Sequence, residues 1–505
     1  MSYDFQPFLD RIDVNWFDDD AILRSLLEHH RGSAAGEAHA TLREWSGRCA
    51  GPLRELAEES AQPQNRPRLN HYDARGRRVD EIVLPRSTRG ALAEVEGRER
   101  LGCVGDDPLI HYAKVYLYAQ NGEAGVACSL ACTDGLVRAL AALGDRVEHN
   151  EVVEKVRGST AERLYHGAQF VTEIQGGSDV AANETRAFPD GDAYSLRGAK
   201  WFCSNVNADY FLVTALPHVR GAAEGSVGLF LVPAYLPGDE GRNGYTIDRL
   251  KDKLGTRELA TAEITFVGAR AYAVGPLERG LPNLLRYVLV PSRFHCALAA
   301  AAYLRRAERI VDAYTDFRTA FGRKLAGFPL VEESVARIRR ERRYALAAVL
   351  ELLRLWRRAD EAPKGGGGGG GGGADRLDFR VMLSLCKTVL TRRCTGLLHE
   401  SMMLLGGNGI EERFSPLPRL YRDSVINETW EGPHNVLLSQ ALRDLLRHGV
   451  KPDEFIGRIA GTEDADLAGR LAGILKEARD RDVTVPFARL ADPLVTAFAE
   501  RAGGG

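Results

Sequence analysis

The spacing of hydrophobic residues changes twice along the chain. From Asp19 to about Gly167, and again from Leu281 onward, apolar residues recur mostly every third or fourth position, which predicts amphipathic helices. Near Ala168 the pattern changes to short β-branched and aromatic runs such as AQFVTEI, ADYFLVTAL and VGLFLVPAY, separated by turn formers. These runs predict strands. The order of the elements is therefore helices, sheet, helices.

A chain of 505 residues is too long for one ordinary core, so we expect several domains. The changes of pattern place a helical domain at 1–167, a β-domain at 168–283 and a second helical domain at 284–445. The remaining segment, 446–505, has helical character and more acids than bases. We predict a short helical C-terminal extension that serves as a small cap or as an oligomer contact.

Two segments interrupt the helical pattern. PRLNHYDARGRRVDEIVLP is rich in turn formers and ends in a short apolar run, which predicts an irregular excursion. The second segment is a run of nine glycines, Gly365 to Gly373. A glycine run has no side chains to pack and a high entropy cost of ordering, so we predict a flexible connection between two helices rather than a phosphate loop.

Composition excludes several classes of partner. The 67 basic and 69 acidic residues nearly balance, which gives no global attraction to nucleic acid or anionic lipid. The eight cysteines lack the spacing of zinc sites or disulfide scaffolds, and the N-terminal residues lack the apolar core of a signal peptide. Long apolar stretches are interrupted by charge or too short to cross a bilayer. We predict a soluble cytoplasmic protein with reduced thiols, no metal site and no membrane partner.

The segment FVTEIQGGSDVAANETRA is the strongest local signal for a ligand. It lies where the first strand of the β-domain ends. Its adjacent glycines allow close approach of the backbone to a ligand, while Thr172 and Ser178 add hydroxyl groups and the free amides can donate to an anion or a polar ring. A plain turn between two elements explains the same composition equally well.

Two further segments carry residue types suited to a flat or charged ligand. In AKWFCSN, alternation along a strand predicts that one of the rings of Trp201 and Phe202 faces the core and the other the opposite surface, with the hydroxyl of Ser204 following. In RTAFGRKLAGFP, Arg318 and Arg323 flank a Phe-Gly pair after a long helix, which suits a diphosphate but also a solvated helix end.

The last candidate segment is MMLLGGNGIEERFSPLPRLYRDSVINETWEGPHNVLL. Its glycines end a long helix, and Glu431 follows Trp430 just before another helical run. A carboxylate beside an indole in an apolar setting would have its charged form disfavoured, which moves its proton affinity toward the range of a general base. By itself Glu431 is more simply explained as the first-turn residue of a helix, favoured by the helix dipole.

Taken together and in this order, these four segments resemble the acyl-CoA dehydrogenase superfamily. Its AidB-like branch is resembled in particular by the segments YDARGRRVDEI, TEIQGGSDVAANETRA, RLKDKLGTRELATAEITF, SRFHCALAAAAYLRRA and LPRLYRDSVINETWEG, and the resemblance runs from about Asn70 to Leu445. The resemblance implies a mainly α fold with a central β-barrel domain at 168–283 and a four-helix-bundle-like domain at 284–445. It also implies FAD as the cofactor and Glu431 as the catalytic base, with Arg293 near that base.

The resemblance also implies a set of flavin contacts. Thr172 would lie near the reactive edge of the flavin and Ser178 toward its pyrophosphate, while Trp201 and Ser204 would face the ring system. Arg318, Phe321, Gly406 and Gly407 would serve a flavin bound partly by a neighbouring subunit, which implies a homo-oligomer that is a dimer of dimers. The remaining implied contacts with the cofactor are Phe170, Val171, Gly177, Trp430 and Asn435.

Three functions stay open from the sequence. The first is α,β-dehydrogenation of an acyl thioester on CoA or a carrier protein, with an electron-transfer flavoprotein or oxygen as electron acceptor. The second is a flavin monooxygenase or oxidase on the same scaffold. The third is an AidB-like protein that binds DNA through a basic surface. The candidate basic run is Arg337, Arg339, Arg340, Arg342 and Arg343, which suits a solvated helix face at least as well.

Several residues depart from the family pattern. Met403 and Pro329 occupy positions where many acyl-CoA dehydrogenases have a glutamine that serves FAD, and Pro433 and His434 replace the usual small hydroxyl residues after Glu-Gly. These departures leave ordinary β-oxidation in doubt, so FAD binding is a safer prediction than turnover.

Overall fold

A computed structural model describes residues 4–31, 35–219, 226–236, 241–361, 371–461 and 464–503. The chain divides into two compact units. The first, called the helical unit below, comprises Met1–Pro52, Tyr112–Gly122 and Arg293–Gly505. The second, called the sheet unit, comprises Leu53–His111 and Glu123–Ser292.

The described chain is mainly helical. In chain order its α-helices are α1 (Gln6–Ile12), α2 (Ala21–Arg31), α3 (Ala35–Ala50), α4 (Pro52–Ser60), α5 (Arg86–Leu92), α6 (Pro108–Ala119), α7 (Ala124–Leu143), α8 (Val147–Arg157), α9 (Gly280–Leu284), α10 (Val290–Phe317), α11 (Pro329–Glu361), α12 (Gly371–Leu404), α13 (Leu417–Thr429), α14 (His434–Arg447), α15 (Pro452–Ala460), α16 (Ala465–Glu477) and α17 (Thr484–Ala502).

The strands fall between the two groups of helices, apart from two short hairpins. They are β1 (Arg68–Tyr72), β2 (Arg78–Val83), β3 (Gly167–Phe170), β4 (Arg186–Asp190), β5 (Ala193–Ser204), β6 (Tyr210–Pro217), β7 (Gly228–Pro233), β8 (Tyr245–Leu250), β9 (Thr261–Ala273), β10 (Thr319–Ala320) and β11 (Arg323–Lys324).

The core of the helical unit is built by long helices with regular apolar spacing. Along α11 the buried residues include Val335, Ile338, Ala345 and Val349, which recur at intervals of three, seven and four residues and so share one face. Helices α11 and α12 pack against each other, and α13, α14 and α17 pack against α12. The C-terminal helix α17 also packs on α11, so the C-terminal segment covers the bundle.

Part of the glycine run belongs to a helix. Residues 362–370 lie outside the described residues, so the prediction of a flexible connection cannot be followed there. Gly371, however, begins α12, and the prediction of an irregular segment through Gly373 is therefore wrong for its last three residues. Glycine disfavours a helix by about 1 kcal/mol per residue, and the long buried helix that follows offsets this cost.

The sheet unit contains a seven-stranded mixed sheet with strand order β3-β6-β4-β5-β9-β7, and β8 pairs with β9. β6 runs parallel to β3 and β4, whereas the other pairings of this sheet are antiparallel. β6 also pairs with β7, so the pairings β4–β5–β9–β7–β6–β4 form a closed circuit. One cluster of buried side chains lies among the strands, and a second joins β6 and β7 to α7 and α8.

The segment predicted to be irregular is a β-hairpin. β1 and β2 pair antiparallel, and the connection between them contains the turn formers Asp73 and Gly76. Asp73 closes that turn, because its Oδ1 accepts hydrogen bonds from the backbone amides of Arg75 and Arg77 at 2.8 and 2.9 Å. The prediction failed because the strand residues around the turn are polar and charged, which hides the two-residue period.

Helix α7 is the one helix of the described residues that is long and apolar enough to cross a membrane. In the structure 67% of that stretch is buried inside the protein. Core helices of globular proteins show the same composition. None of the eight cysteines, all of which lie in described parts of the chain, forms a disulfide, and seven of them are buried.

Candidate active site

Residues 172–178 form a loop that leaves the end of β3 in the sheet unit. Glu173 and Gly176 exchange backbone hydrogen bonds of 3.1 and 3.2 Å, which closes a tight turn. Thr172 is half-buried, whereas Gly177 and Ser178 are exposed. Within the described part of the chain, the hydroxyl of Thr172 and the amides of Gly177 and Ser178 have no hydrogen-bond partner. The loop thus presents unused donors at the edge of the sheet.

A buried ion pair holds this loop in place. Nζ of Lys200, on β5, lies 2.7 Å from Oε1 of Glu173, and the two residues are only 1% and 4% exposed. The same ammonium donates to the carbonyl of Val171 and to Oγ1 of Thr214, each at 3.2 Å. The Glu173 carboxylate in turn accepts from the backbone amides of Glu184 and Thr185. Through these hydrogen bonds the ion pair fixes the backbone on both sides of Thr172.

Both partners of this pair have shifted pKa values. Burial lowers the pKa of Lys200 to about 8, although Glu173 acts in the opposite direction. Burial alone would raise the pKa of the Glu173 carboxyl, but Lys200 and the hydrogen bonds outweigh it, and that pKa lies below its usual range. At neutral pH the site therefore contains a charged pair.

The β5 residues Trp201, Phe202 and Ser204 do not alternate as predicted. A bulge shifts the register between Lys200 and Cys203, so these two residues are buried while Phe202 is 49% exposed and Trp201 half-buried. The prediction that one of the two rings faces the core is wrong. The amide of Trp201 donates to the carbonyl of Thr172 at 2.9 Å, which brings this ring next to the loop.

A cation lies over the ring of Trp201. Nζ of Lys251 lies 3.2 Å from the centre of its ring, close enough for a cation–π interaction. The hydroxyl of Ser204 lies 3.1 Å from that of Thr261 and is half-buried. The side chain of Phe170 lies inside the sheet, with its ring centre 4.5 Å from that of Phe211, so Phe170 could serve a ligand only through its backbone.

Glu431 lies in the connection between α13 and α14 of the helical unit. Its φ of 57° is in the left-handed region, which costs a non-glycine residue about 1–2 kcal/mol. Gly432 follows with a φ of 108°, and a Cβ there would lie 3.2 Å from Leu437. Pro433 is the N-cap of α14, so Glu431 precedes that helix. The simpler explanation as a first-turn helix residue is therefore wrong.

Two buried cations hold the backbone around Glu431. Nε of Arg293, on α10, donates to the carbonyl of Glu431 at 3.0 Å. Nζ of Lys387, on α12, donates to the carbonyls of Glu428 at 2.8 Å and of Gly432 at 3.0 Å. The two cations thus bind carbonyls on both sides of the turn, where the end of α13 leaves carbonyl groups without helical partners.

The surroundings of Glu431 are cationic and not the apolar setting that its neighbour Trp430 suggested. Burial lowers the pKa of both Arg293 and Lys387, and the Glu431 carboxylate partly opposes this change in each case. The negative charge of Glu431 is therefore close enough to both cations to affect their protonation. Trp430 is the half-buried C-cap residue of α13, and Asn435 is exposed in the first turn of α14.

The predicted contacts with a neighbouring subunit's cofactor lie at two other places in the helical unit. Arg318 follows α10 and precedes a two-residue hairpin turn made by Phe321 and Gly322, with φ values of 50° and 80°. The ring of Phe321 is 96% exposed. Gly406 and Gly407 form a 3-10 turn after α12, and a Cβ on either would meet nothing within 4 Å.

Comparison with known proteins gives matches over most of the chain. Residues 168–269 match the family model of the acyl-CoA dehydrogenase middle domain, and residues 278–446 match that of the C-terminal domain. Residues 9–87 match the N-terminal domain of the adaptive response protein AidB.

Individual relatives support the same relationship. The chain is 30% identical to acyl-CoA dehydrogenase family member 11 of Caenorhabditis elegans, over 90% of this chain and 75% of that protein. It is 32% identical to the putative acyl-CoA dehydrogenase AidB of Escherichia coli, over 75% of this chain and 69% of that protein. The crystal structure of C. elegans ACDH-11 in complex with C11-CoA superposes with a TM-score of 0.84 at 27% identity, covering 97% of this chain and 87% of that one.

The chain therefore belongs to the acyl-CoA dehydrogenase family of FAD-dependent oxidoreductases. Within that family, the N-terminal match and the E. coli relative place it in the AidB-like branch. The residues present fit FAD, because the loop at 172–178 offers an unused hydroxyl and unused amides beside the Trp201 ring.

Three residues of these sites were missed from the sequence: Glu173, Lys200 and Lys387. Of these, Lys387 is a charged residue inside an apolar stretch, LSLCKTVL. Charged residues are almost never fully buried unless they are paired. A lysine in the middle of an apolar run was therefore a usable signal for a buried polar interaction.

Proposed function

We propose that the protein catalyses α,β-dehydrogenation of an acyl thioester and that Glu431 is the base. The observation that carries this proposal is the backbone of the Glu431 turn, which adopts a left-handed conformation and is held by Arg293 and Lys387. Residues kept in an unfavourable conformation by their surroundings occur preferentially at functional sites. A glutamate at such a position is presented in a defined direction.

The chemistry asked of Glu431 is removal of a proton from the carbon next to the thioester carbonyl. Its carboxylate must be ionised to accept that proton, and Arg293 and Lys387 hold the backbone carbonyls of Glu431 and Gly432. FAD, when bound, supplies the acceptor for the hydride that leaves the neighbouring carbon.

The proposed flavin contacts in the sheet unit are the loop at 172–178 and β5. Thr172, Gly177 and Ser178 would donate hydrogen bonds from groups that have no partner in the described chain. Trp201 would lie against the ring system, and Ser204 would add a hydroxyl. The Glu173–Lys200 pair supports this proposal because it fixes the backbone from which these donors point.

The proposed substrate is a thioester on CoA or on a carrier protein. The relative from C. elegans is crystallised with C11-CoA, which favours a CoA thioester with an acyl chain of about that length.

We also propose a homo-oligomer, a dimer of dimers, in which Arg318, Phe321, Gly406 and Gly407 serve the neighbour's flavin. The almost fully exposed Phe321 ring supports such a contact. An electron-transfer flavoprotein or oxygen would accept the electrons in a cytoplasmic setting.

A DNA-binding function has less support, because the arginines of α11 already have partners. Arg342 is buried beside Asp20 and Glu308, so its prediction as part of a solvated face is wrong. The other four contact acceptors at the surface, namely Arg337 with Glu400, Arg339 with Asp312, Arg340 with Glu341 and Arg343 with the carbonyl of Gly503. Phosphate binding needs a concentration of available cations.

The test is an anaerobic titration of the FAD-loaded protein with acyl-CoA thioesters of different lengths, including C11-CoA. At least one should bleach the oxidised flavin absorbance, and Glu431→Gln should bind the same thioester without bleaching. Arg339→Gln, at a surface ion pair of the same unit, serves as the matched control and should behave as the wild type. If a fully loaded protein is bleached by none of them, the dehydrogenase proposal is wrong.

A further inference from the structure

Lys387 is buried in the helical unit without a hydrogen-bonded carboxylate. Its side chain is 0% exposed, and its ammonium group donates hydrogen bonds to the carbonyls of Glu428 and Gly432. Removing an ammonium group from water costs several kcal/mol. A neutral residue could be accommodated in this core at lower cost. The buried ammonium of Lys387, which has no directly bound anion among the described residues, therefore calls for a functional explanation.

The two carbonyls that Lys387 binds are those of the residues at the two ends of a short segment. Glu428 is in the last turn of α13, and Gly432 is the residue after Glu431. A single ammonium therefore ties the helix end to the far side of the turn, with Glu431 in between. Arg293 binds the carbonyl of Glu431 itself from a different helix. The turn is held from α10 and from α12.

The titratable groups that interact with Lys387 lie on α10, α13 and α14 and in the turn between α13 and α14. Arg293 and Cys296 lie on α10, Glu428 on α13, Glu431 in the turn and His434 on α14, while Asp444 of α14 acts on Arg293. Among these groups Glu431 is the one proposed to donate and accept a proton. A second buried positive charge beside it favours its anion over its neutral form.

We propose that Lys387 is a positioning residue for Glu431, because it fixes the turn through its two carbonyl contacts. This inference rests on the proposed function of Glu431. Lys387 itself needs no contact with the substrate. Its loss acts on the direction of the Glu431 side chain and on the pH at which Glu431 can accept a proton.

The test compares Lys387→Met, Lys387→Gln and Lys387→Arg in the FAD-loaded protein, using the thioester that bleaches the flavin fastest. Lys387→Met removes the donors and the charge, whereas Lys387→Gln keeps a donor and loses the charge. We expect Lys387→Met to reduce the limiting rate of flavin reduction about 10- to 100-fold, the size of effect that a small misplacement produces. Thioester affinity should change much less.

The pH profile distinguishes positioning from general damage. In Lys387→Met and Lys387→Gln the acidic limb of the rate profile should move to higher pH, because the loss of a positive charge disfavours the carboxylate. Lys387→Arg should keep the limb in place and restore most of the rate. Lys451→Met, at an exposed surface ion pair of the same unit, is the matched control and should change nothing.

The outcomes separate this inference from the proposed function. If Glu431→Gln abolishes reduction while both neutral Lys387 variants keep the wild-type rate and pH profile, the role of Lys387 is wrong and that of Glu431 stands. If the thioester reduces the flavin of Glu431→Gln at the wild-type rate, the proposed roles of Glu431 and Lys387 are both wrong. Should Lys387→Met fail to fold, Lys387→Gln still decides through the position of the acidic limb.

Discussion

The two units each bury one lysine beside a proposed functional loop, and the two lysines are used differently. Lys200 in the sheet unit is paired with the Glu173 carboxylate at 2.7 Å, so the charge is neutralised within the site. Lys387 in the helical unit is bonded to two backbone carbonyls. Burial lowers the pKa of both lysines. The same desolvation cost is therefore offset by an ion pair in one unit and by peptide dipoles in the other.

The two lysines therefore differ in whether they only fix the backbone or also exert an electrostatic effect on a nearby group. A neutralised pair projects little field beyond itself, so Glu173 and Lys200 mainly determine the path of the backbone around Thr172. Lys387 also fixes backbone, but its charge is not cancelled by a bonded anion and acts on Glu431. A loop that donates hydrogen bonds needs only the first property, whereas a proton-accepting carboxylate benefits from both.

The largest expected effect is the loss of Lys200. Lys200→Met leaves the Glu173 carboxylate buried and uncompensated, which typically costs about 3–5 kcal/mol of stability. Lys387→Met leaves two carbonyls without a charged donor and should cost about 1.5–3 kcal/mol. Urea unfolding of both variants, followed by circular dichroism, measures the two losses side by side.

A neutral pair provides the control for this ranking. Glu173→Gln combined with Lys200→Met removes both charges and should be more stable than Lys200→Met alone, because no buried charge is left without a partner. Combining Glu431→Gln with Lys387→Met should give no such recovery of stability. Equal losses for the two lysine variants, with no recovery in the first pair, would contradict the proposed difference.

The sequence predicted the elements better than the interactions between them. Long helices such as α11 and the strands β6 and β7 were predictable because their apolar period extends over many residues. The hairpin β1–β2 was missed because its strands carry charged residues on an exposed sheet. The period of apolar residues reflects which side chains are buried, so it does not predict a strand that buries few side chains.

The site residues show the same limit. Glu431 and Thr172 were found through the resemblance of their segments to a family, whereas Glu173, Lys200 and Lys387 were not singled out. Their roles depend on contacts between residues that are 27 to 45 positions apart, such as Lys200 with Glu173 or Lys387 with Gly432. The bulge that turns Trp201 and Phe202 away from simple alternation is likewise fixed by pairing with β9. None of these is encoded in local spacing.

An intermediate effect is expected from acid. The pKa of Glu173 in the folded protein lies below its ordinary value of 4.5, so its stabilising contribution is complete above that pH and is lost as the pH falls through the folded-state pKa. The difference in melting temperature between the wild type and the double variant Glu173→Gln/Lys200→Met should be constant from about pH 7 to 5.5 and should shrink below pH 4.5. A difference that persists unchanged at pH 4 would show that the ionised pair does not stabilise the sheet unit.

The smallest expected effect is on the strain of the Glu431 turn. Glu431→Gly removes the cost of a left-handed conformation, offset in part by the greater entropy of glycine in the unfolded chain, so we expect stability to rise by at most about 1 kcal/mol. Flavin reduction by thioester should nevertheless be lost with the carboxylate. Thermal unfolding and anaerobic bleaching of the same sample measure both quantities. A clear loss of stability would mean that the Glu431 side chain, and not only the cations on its backbone, holds the turn in place.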